Sequence, residues 1–363
     1  MFNFEFQNPT RIVFGQETVA QLDSLVPASA RVMVLYGRES AERYGTLAEV
    51  RSALGLRERF EFGGIEPNPT FETLMRAVEL ARAEKVDFLL AVGGGSVIDG
   101  TKFVAAATLI ATDPWQILET YGAVVTQALP FGAVLTLPAT GSEMNNGAVV
   151  TRKSTKTKAY FTSPRVFPQF SILDPTKTYT LPARQLANGV IDSFVHVIEQ
   201  YLTFPAEGHV QDRFAEGLLQ TLIEIGPKVV SEPADYNSRA NLMWAATMAV
   251  NGLIGAGVPQ VWATHLMGHE LTAQYDIDHT RTLAIILPSM LHIRRDSKRA
   301  KLLQYAERIW NITEGKEDDR VDQAIEKTRM FFENLGVKTS LTDYDIPAAA
   351  IDGLWFSNWK CMA

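Results

Sequence analysis

Two patterns of hydrophobic and polar positions alternate along the first half of the chain. Short runs rich in β-branched and aromatic residues, such as RVMVLYG and VDFLLAV, predict strands. The stretches between them place apolar residues three to four positions apart, as in TFETLMRAVELARAEK, and predict amphipathic helices. Strands and helices in alternation are typical of a parallel sheet with helices on both faces.

The pattern changes after Pro182, where long segments such as ARQLANGVIDSFVHVIEQYL carry apolar residues at helical spacing and few β-branched runs occur. A chain of 363 residues exceeds what one hydrophobic core usually organises. We therefore predict an α/β domain over residues 1–183 and an all-helical domain over residues 184–363.

Composition narrows the class of partner. The chain has 34 basic and 41 acidic residues, with no block of like charge, which argues against a nucleic acid or an anionic membrane as partner. No apolar run approaches the roughly 20 residues that span a bilayer, and the first residues do not resemble a targeting signal. The single cysteine, Cys361, rules out an internal disulfide. We predict a cytoplasmic protein.

A glycine-rich turn, GGGS at residues 93–96, follows the strand VDFLLAV and opens a helix. Free backbone N–H groups there would bind a phosphate at the positive end of the helix dipole. A tight turn without a ligand explains the same residues equally well, and the spacing differs from G-x-G-x-x-G. Asp99 and Lys102, one helical turn apart, also fit an ordinary surface pair.

A second polar cluster, TLPATGSEMNNG, follows the apolar run FGAVL and contains Thr136, Thr140, Ser142 and Asn145. The end of a strand is where ligands bind in open α/β sheets. For this segment alone, a helix N-cap made by Thr140 or Ser142 is the simpler interpretation.

The predicted helical half concentrates side chains that bind metals. Asp192 and His196 lie four residues apart on one helix face, an arrangement that grips a metal or forms an ordinary Asp–His hydrogen bond. Three of the six histidines, His265, His269 and His279, fall within residues 264–280. Helical spacing alone pairs His265 with His269. One carboxylate with three imidazoles suits a divalent transition metal.

Together these motifs resemble the iron-dependent (group III) alcohol dehydrogenases. GGGSVIDGTK, TLPATGSE, LDP followed by TYTLP, and the Asp–His and His–His spacings occur in the family's order from RIVFG to about LTDYDIP. EFGGIEPNP and NGLIGAGVPQ are most similar to its bacterial NADPH-dependent aldehyde reductases and butanol dehydrogenases. The resemblance implies a dinucleotide-binding α/β domain, a helical metal domain and a homodimer that transfers hydride between NADPH and aldehydes or primary alcohols.

The resemblance also implies roles for individual residues. Zinc or iron would be held by Asp192, His196, His265 and His279, and would polarise the aldehyde oxygen as a Lewis acid. His269 would relay a proton, and Asp99 would lie on the nicotinamide side. The residues implied to bind NADP(H) are Gly37, Arg38, Ser40, Gly93, Gly94, Gly95, Ser96, Asp99, Thr136, Leu137, Thr140, Asn145 and Lys158.

Cofactor choice depends on the end of the second strand. NAD users of the family carry an aspartate where this chain has Gly37, which leaves room for the 2′-phosphate of NADP. Arg38 would bind that phosphate as a fork, whereas Glu39 would oppose it if it points inward. NADP is favoured.

The chain's end, IPAAAIDGLWFSNWKCMA, departs from the family pattern from about residue 353. Two alternatives therefore stay open. One is an NAD-dependent alcohol or polyol dehydrogenase of the same fold, and the other is a cofactor-binding protein whose catalysis is impaired by the altered terminus.

Overall fold

The structure is a computed structural model that describes residues 1–232, 234–275 and 277–347. The terminal segment predicted to be atypical, from about residue 353, lies outside them. Two compact units are present. The α/β unit comprises Phe6–Pro182 and Glu232–Gly252, and the helical unit comprises Met1–Glu5, Ala183–Ser231 and the described residues from Leu253 onward.

The strands, in chain order, are β1 (Arg11–Phe14), β2 (Val32–Tyr36), β3 (Arg59–Phe62), β4 (Phe88–Gly94), β5 (Phe131–Leu137), β6 (Gly147–Arg152), β7 (Thr157–Thr162) and β8 (Phe170–Leu173). The helices are α1 (Leu22–Leu25), α2 (Ser40–Arg43), α3 (Thr46–Leu54), α4 (Phe71–Ala83), α5 (Gly95–Leu109), α6 (Gln116–Glu119), α7 (Ala183–Tyr201), α8 (His209–Ser231), α9 (Tyr236–Ala249), α10 (Ala263–Tyr275), α11 (His279–Ile293), α12 (Arg299–Trp310) and α13 (Glu317–Asn334). Short 3-10 helices lie at Thr18–Gln21, Ser142–Met144, Lys153–Thr155, Pro164–Val166, Pro175–Thr178 and Leu341–Tyr344.

A parallel sheet forms the centre of the α/β unit, with strand order β1-β8-β5-β4-β2-β3. Its middle strand β4 is apolar and buried from Phe88 to Val92, as expected when helices cover both faces. β6 and β7 form a separate antiparallel hairpin. The α/β class with a parallel sheet, followed by a helical part, is confirmed.

The order of the strands also marks a place for a ligand. From β2 the chain moves outward to β3, returns to β4, and then continues to β5 on the other side. Open α/β sheets bind ligands at the carboxyl ends of strands where the direction of winding reverses in this way. The glycine turn that follows β4 lies at this position.

Helix α9 belongs to the α/β unit, although it follows α7 and α8 in the chain. The Thr247 hydroxyl donates to the buried carboxylate of Glu143, and the buried Arg239 donates to the Thr178 carbonyl at 3.1 Å. The units therefore differ from the sequence-based division at residue 183 in this segment and in residues 1–5. None of the described helices is both long and apolar enough to cross a membrane.

Candidate active site

The glycine turn connects β4 to α5 in a form that only small residues allow. A Cβ added to Gly95 would overlap the Thr140 hydroxyl, and one added to Gly93 would lie 2.6 Å from a methyl carbon of Val97. Gly94, at the N-cap of α5, has no side chain to bind the first amides of the helix. These N–H groups are therefore suited to an anionic ligand.

Lys158 is joined to this turn by a residue that the sequence analysis missed. Its ammonium donates to the Asn68 side-chain oxygen at 2.9 Å, and the Asn68 backbone N–H donates to the Ser96 hydroxyl at 3.3 Å. Asn68 has a left-handed backbone with φ 55°, which asparagine tolerates better than most residues. The available signal was its place between two prolines in EPNP.

Lys102 is buried, so the interpretation as a surface pair is wrong. Its ammonium donates to the Ser142 hydroxyl, the Asn145 side-chain oxygen and the Gly147 carbonyl, each at 2.8 Å. Burial lowers the pKa of Lys102 to about 8, even though nearby carboxylates attract the proton. Three acceptors around three N–H donors hold the ammonium in place and attach α5 to the β6 hairpin.

Asp99 binds the segment that precedes the hairpin with one carboxylate oxygen and strand β6 with the other. It accepts from the Ser142 hydroxyl at 2.6 Å and from the Val149 backbone N–H at 2.9 Å. Burial raises its pKa above the ordinary value, and the charge of Lys102 opposes that rise. Asp99 thus holds Ser142 and strand β6 against helix α5, which begins at the glycine turn.

The other predicted cofactor residues lie at the ends of β5 and β2. Thr136 and Leu137 close β5, and Leu137 pairs with Gly94 of the glycine turn. Thr140 accepts from the Ser142 N–H at 3.3 Å, but the N-cap of the following 3-10 helix is Gly141, so neither Thr140 nor Ser142 is the predicted N-cap. Asn145 donates to the Gly141 carbonyl at 2.9 Å besides accepting from Lys102.

Beyond β2, the backbone carbonyl of Gly37 accepts from the Gly64 N–H at 2.9 Å. A Cβ at Gly37 would meet only ordinary contacts, the nearest at 3.6 Å, so packing does not require glycine there. The next three residues, Arg38, Glu39 and Ser40, are exposed. The end of β2 therefore presents an arginine and a glutamate to solvent side by side.

In the helical unit, three helices bring three predicted metal ligands together. Asp192 of α7, His265 of α10 and His279 at the start of α11 each offer one ligand atom, and these atoms lie within 4.8 Å of one another. Asp192 and His265 are buried, and His279 is half-buried. The break between α10 and α11 allows His279 to meet His265 from a different helix.

The fourth predicted ligand, His196, lies parallel to His265 with ring centroids 4.5 Å apart. Burial, and then the neighbouring His265, lower the pKa of His196 well below its ordinary value, so its imidazole is neutral. His269 lies beside the group, with its ring centroid 5.0 Å from that of His279. Spacing alone therefore misses the pairing of His265 with His279.

The donor set fits a divalent transition metal. Neutral imidazoles with one carboxylate are ligands that such metals accept. Within the described residues, Nδ1 of His196 and Nε2 of His265 are buried without a hydrogen-bond partner. Buried polar atoms normally have partners, so these two nitrogens are available to a metal.

Glu199 was not predicted from the sequence. Its carboxylate contacts Nδ1 of His265 and accepts from the Thr264 backbone N–H at 2.6 Å. It follows His196 by three residues on α7, a spacing that extends the face of Asp192 and His196. Trp262 packs edge-on against His265 with ring centroids 5.4 Å apart.

Asp278 fixes the start of α11 against α7. It forms an ion pair with Arg184 at 2.7 Å and accepts from the Asn188 side chain at 3.1 Å. Since His279 is the next residue, these contacts hold its backbone on the α7 side, where Asp192 lies.

Comparisons with known proteins give one consistent result. The model of the iron-containing alcohol dehydrogenases matches residues 9–175, and that of the C-terminal part of the Fe-containing alcohol dehydrogenase family matches residues 186–357. The chain is 59% identical over 356 residues to the NADPH-dependent aldehyde reductase YqhD of Escherichia coli, covering 98% of this chain and 92% of that protein. It is 40% identical over 357 residues to a probable NADH-dependent butanol dehydrogenase of Bacillus subtilis, covering 97% and 92%.

Solved structures agree with this result. The crystal structure of Escherichia coli YqhD superposes with a TM-score of 0.96 at 58% identity, covering 97% of this chain and 91% of that one. An NADH-dependent butanol dehydrogenase A from Thermotoga maritima gives a TM-score of 0.93 at 36% identity, covering 98% and 89%.

Proposed function

The chain belongs to the iron-containing alcohol dehydrogenase family, and on that premise we propose that it is a metal-dependent, NADPH-dependent aldehyde reductase of broad substrate range. The family resemblance found in the sequence is confirmed. The observation that carries the proposal is the convergence of Asp192, His265 and His279. An alcohol dehydrogenase that depends on a metal needs such a set of ligand side chains.

Asp192, His265 and His279 would hold the metal, with His196 as the fourth ligand. When bound, a divalent metal supplies a Lewis acid for a carbonyl oxygen. Nitrogen-rich sites bind zinc more tightly than ferrous iron, so zinc is the stronger candidate by affinity, and iron the alternative.

Residues 93–96 and the N-terminus of α5 would bind the pyrophosphate of the cofactor, with Lys158 beside them through Asn68. When bound, NADPH supplies the hydride. Gly37 and the exposed Arg38 favour a 2′-phosphate, as the name of the Escherichia coli relative would suggest. The cofactor site would be lined by Thr136, Leu137 and Thr140. Asp99 and Asn145 would hold the backbone next to these lining residues in place through their hydrogen bonds.

The chain's own residues also prepare the proton transfer and the substrate site. His269 lies next to the metal ligands and is half-buried, so its imidazole is placed to pass a proton toward an alcohol product. Trp262 packs edge-on against His265 and would limit the approach of water from that side. Small aldehydes and primary alcohols are the proposed substrates.

We also propose that the enzyme forms a homodimer in the cytoplasm. Met1, Phe2 and Phe4 are more than half exposed, and such apolar side chains favour burial against a second copy. A chain with one cysteine suits a reducing compartment. Light scattering after size-exclusion chromatography would report twice the 40.2 kDa chain mass for the dimer and the chain mass for a monomer.

The test is the oxidation of NADPH by butanal, followed in metal-loaded protein with NADH assayed alongside. We expect turnover with NADPH, its loss after a chelator, and its return with zinc or ferrous iron. His279→Ala should lose both metal and turnover, whereas His269→Ala should keep the metal and turn over slowly. Metal and NADPH binding without turnover would overturn the proposal.

A second function has its own support. Relatives near 40% identity carry names of NADH-dependent butanol dehydrogenases, and Glu39 stands exposed beside Arg38. An NAD-dependent alcohol dehydrogenase would be indicated if kcat/KM with NADH exceeded that with NADPH.

A further inference from the structure

His265 presents two nitrogens with different tasks. Its Nε2 is buried without a hydrogen-bond partner among the described residues, and its Nδ1 contacts the Glu199 carboxylate. A neutral imidazole carries one proton, and only the nitrogen without it has a lone pair for a metal. Whichever group binds Nδ1 therefore decides whether Nε2 is a ligand.

We propose that Glu199 is a positioning residue that holds the proton of His265 on Nδ1 and so turns the lone pair of Nε2 toward the metal. This inference rests on the proposed function, because it assumes that His265 is a ligand. A carboxylate accepts hydrogen bonds and donates none, so the proton between the two side chains stays on the imidazole. Carboxylate partners of this kind orient metal-binding histidines and tune their basicity.

The carboxylate itself is fixed by contacts on its other side. Its Oε1 accepts from the Thr264 backbone N–H at 2.6 Å, in the first turn of α10, one residue before His265. Glu199 therefore fixes both the backbone and the ring of the same ligand. Its side chain is only 4% exposed, so water contributes little to holding it.

A cation lies close to this buried carboxylate. Glu199 and Lys298 line the same cavity, of about 30 Å³, which is room for about one water molecule. Lys298 is anchored by donating to the Leu202 carbonyl.

The geometry gives a sharp test with Glu199→Gln. With the amide oxygen facing the Thr264 N–H, the amide nitrogen faces Nδ1 of His265 and donates to it, which moves the imidazole proton to Nε2. With the amide turned over, two donors meet at Thr264. Either arrangement costs metal affinity, and loss of a partner of this kind typically weakens metal binding about 10- to 100-fold.

Glu199→Ala separates positioning from packing. Alanine removes the acceptor but adds no donor, so His265 can still adopt the tautomer that binds metal. We expect the zinc dissociation constant to rise about 10-fold or more in Glu199→Gln and less in Glu199→Ala. In urea unfolding of the metal-free proteins, we expect Glu199→Ala to be less stable than Glu199→Gln, because alanine leaves the larger cavity.

Glu207→Gln is the matched control, since Glu207 forms a Glu–His contact with His209 at 3.2 Å on the exposed surface. It should bind zinc as the wild type does. Zinc competition with a chromophoric chelator measures all four proteins. Glutamine and alanine variants that both bind zinc within about 2-fold of the wild type, or an alanine variant that binds more weakly than the glutamine one, overturn the inference.

The same experiment separates this inference from the proposed function. His265→Ala is measured alongside, and equal zinc affinity in that variant and the wild type removes His265 from the ligand set and defeats both. Loss of affinity in His265→Ala with no loss in Glu199→Gln defeats the inference alone.

Discussion

Gly268 controls how closely α10 approaches α11, and therefore how His265 meets His279. A Cβ at Gly268 would lie 2.8 Å from Oγ1 of Thr282 and 3.0 Å from Cδ2 of Leu283, distances that the fully buried neighbours do not allow without moving. The Thr282 hydroxyl also donates to the Gly268 carbonyl at 3.1 Å. Gly268→Ala should push the two helices apart.

The expected cost combines two opposing effects. Overpacking of this kind costs about 1–3 kcal/mol, and replacing glycine by alanine inside a helix returns about 0.5–1 kcal/mol. We expect a net loss of about 1–2 kcal/mol in the urea unfolding of the metal-free protein. Zinc affinity should fall as well, by roughly 10-fold, since about 1.4 kcal/mol corresponds to that factor.

Gly217→Ala is the control for helix propensity. Gly217 is exposed within α8, and no heavy atom lies within 4 Å of its added Cβ, so this variant should be more stable by about 0.5–1 kcal/mol. Gly268→Ala with Thr282→Ala should recover part of the loss, with a coupling of at least about 0.5 kcal/mol. A Gly268→Ala protein as stable and as tight for zinc as the wild type would refute the reasoning.

Three further predictions concern the α/β unit. Lys102→Met should cost about 3 kcal/mol in urea unfolding by leaving the acceptors of Ser142, Asn145 and Gly147 without their donor. Because the pKa of Lys102 falls from 10.5 to about 8 on folding, its protonated form is penalised in the folded state, and the stability of the wild type decreases as the pH falls from 10.5 to 8. The amount by which the free energy of unfolding of the wild type exceeds that of Lys102→Met should thus be about 2 kcal/mol larger near pH 9.5 than near pH 7.5. An excess that does not change with pH would contradict this. Gly95→Ala should weaken NADPH binding about 10-fold or more in calorimetry, because its Cβ displaces Thr140, with metal content unchanged as the control. Arg38→Ala should raise KM about 10-fold for NADPH and much less for NADH, and equal increases would remove Arg38 from the phosphate site.

The sheet was predictable because its signals are local. β4 is a continuous apolar run that ends in glycines, and such a run requires burial on both faces whatever surrounds it. That α9 belongs to the α/β unit was not predictable, because its sequence predicts a helix but does not indicate what the helix packs against. That depends on Thr247 meeting Glu143, more than a hundred residues earlier in the chain.

The spacing of Asp99 and Lys102 did not indicate that Lys102 is buried. Asp99 and Lys102 are placed as a surface pair would be, yet α5 is buried on nearly all sides between the sheet and its neighbours. The lysine is accommodated because Ser142, Asn145 and Gly147 supply acceptors from forty or more residues away. Nothing in the helix itself indicates that they are there.

The resemblance grouped Asp192, His265 and His279, which the structure brings together, whereas spacing gave a different pair. His265 and His269 share one helix, and helical spacing can compare only positions within one helix. The pairing of His265 with His279 depends on the angle between α10 and α11, which is set by the contact of Gly268 with Thr282 and by the ion pair of Asp278 with Arg184. Glu199 was missed for the same reason, since its role depends on contacts across helices.

The two clusters of buried polar groups, around Lys102 and around His265, differ in how far their hydrogen-bonding groups are satisfied. A buried charge is costly unless its hydrogen-bonding groups find partners. Lys102 uses its three donors within the α/β unit, so that cluster is complete as a structural brace. His265 is held through Nδ1 by Glu199, while its buried Nε2 has no hydrogen-bond partner among the described residues. A ring that is fixed on one side and unsatisfied on the other is prepared to bind something, and a metal is what its neighbours Asp192 and His279 would accept.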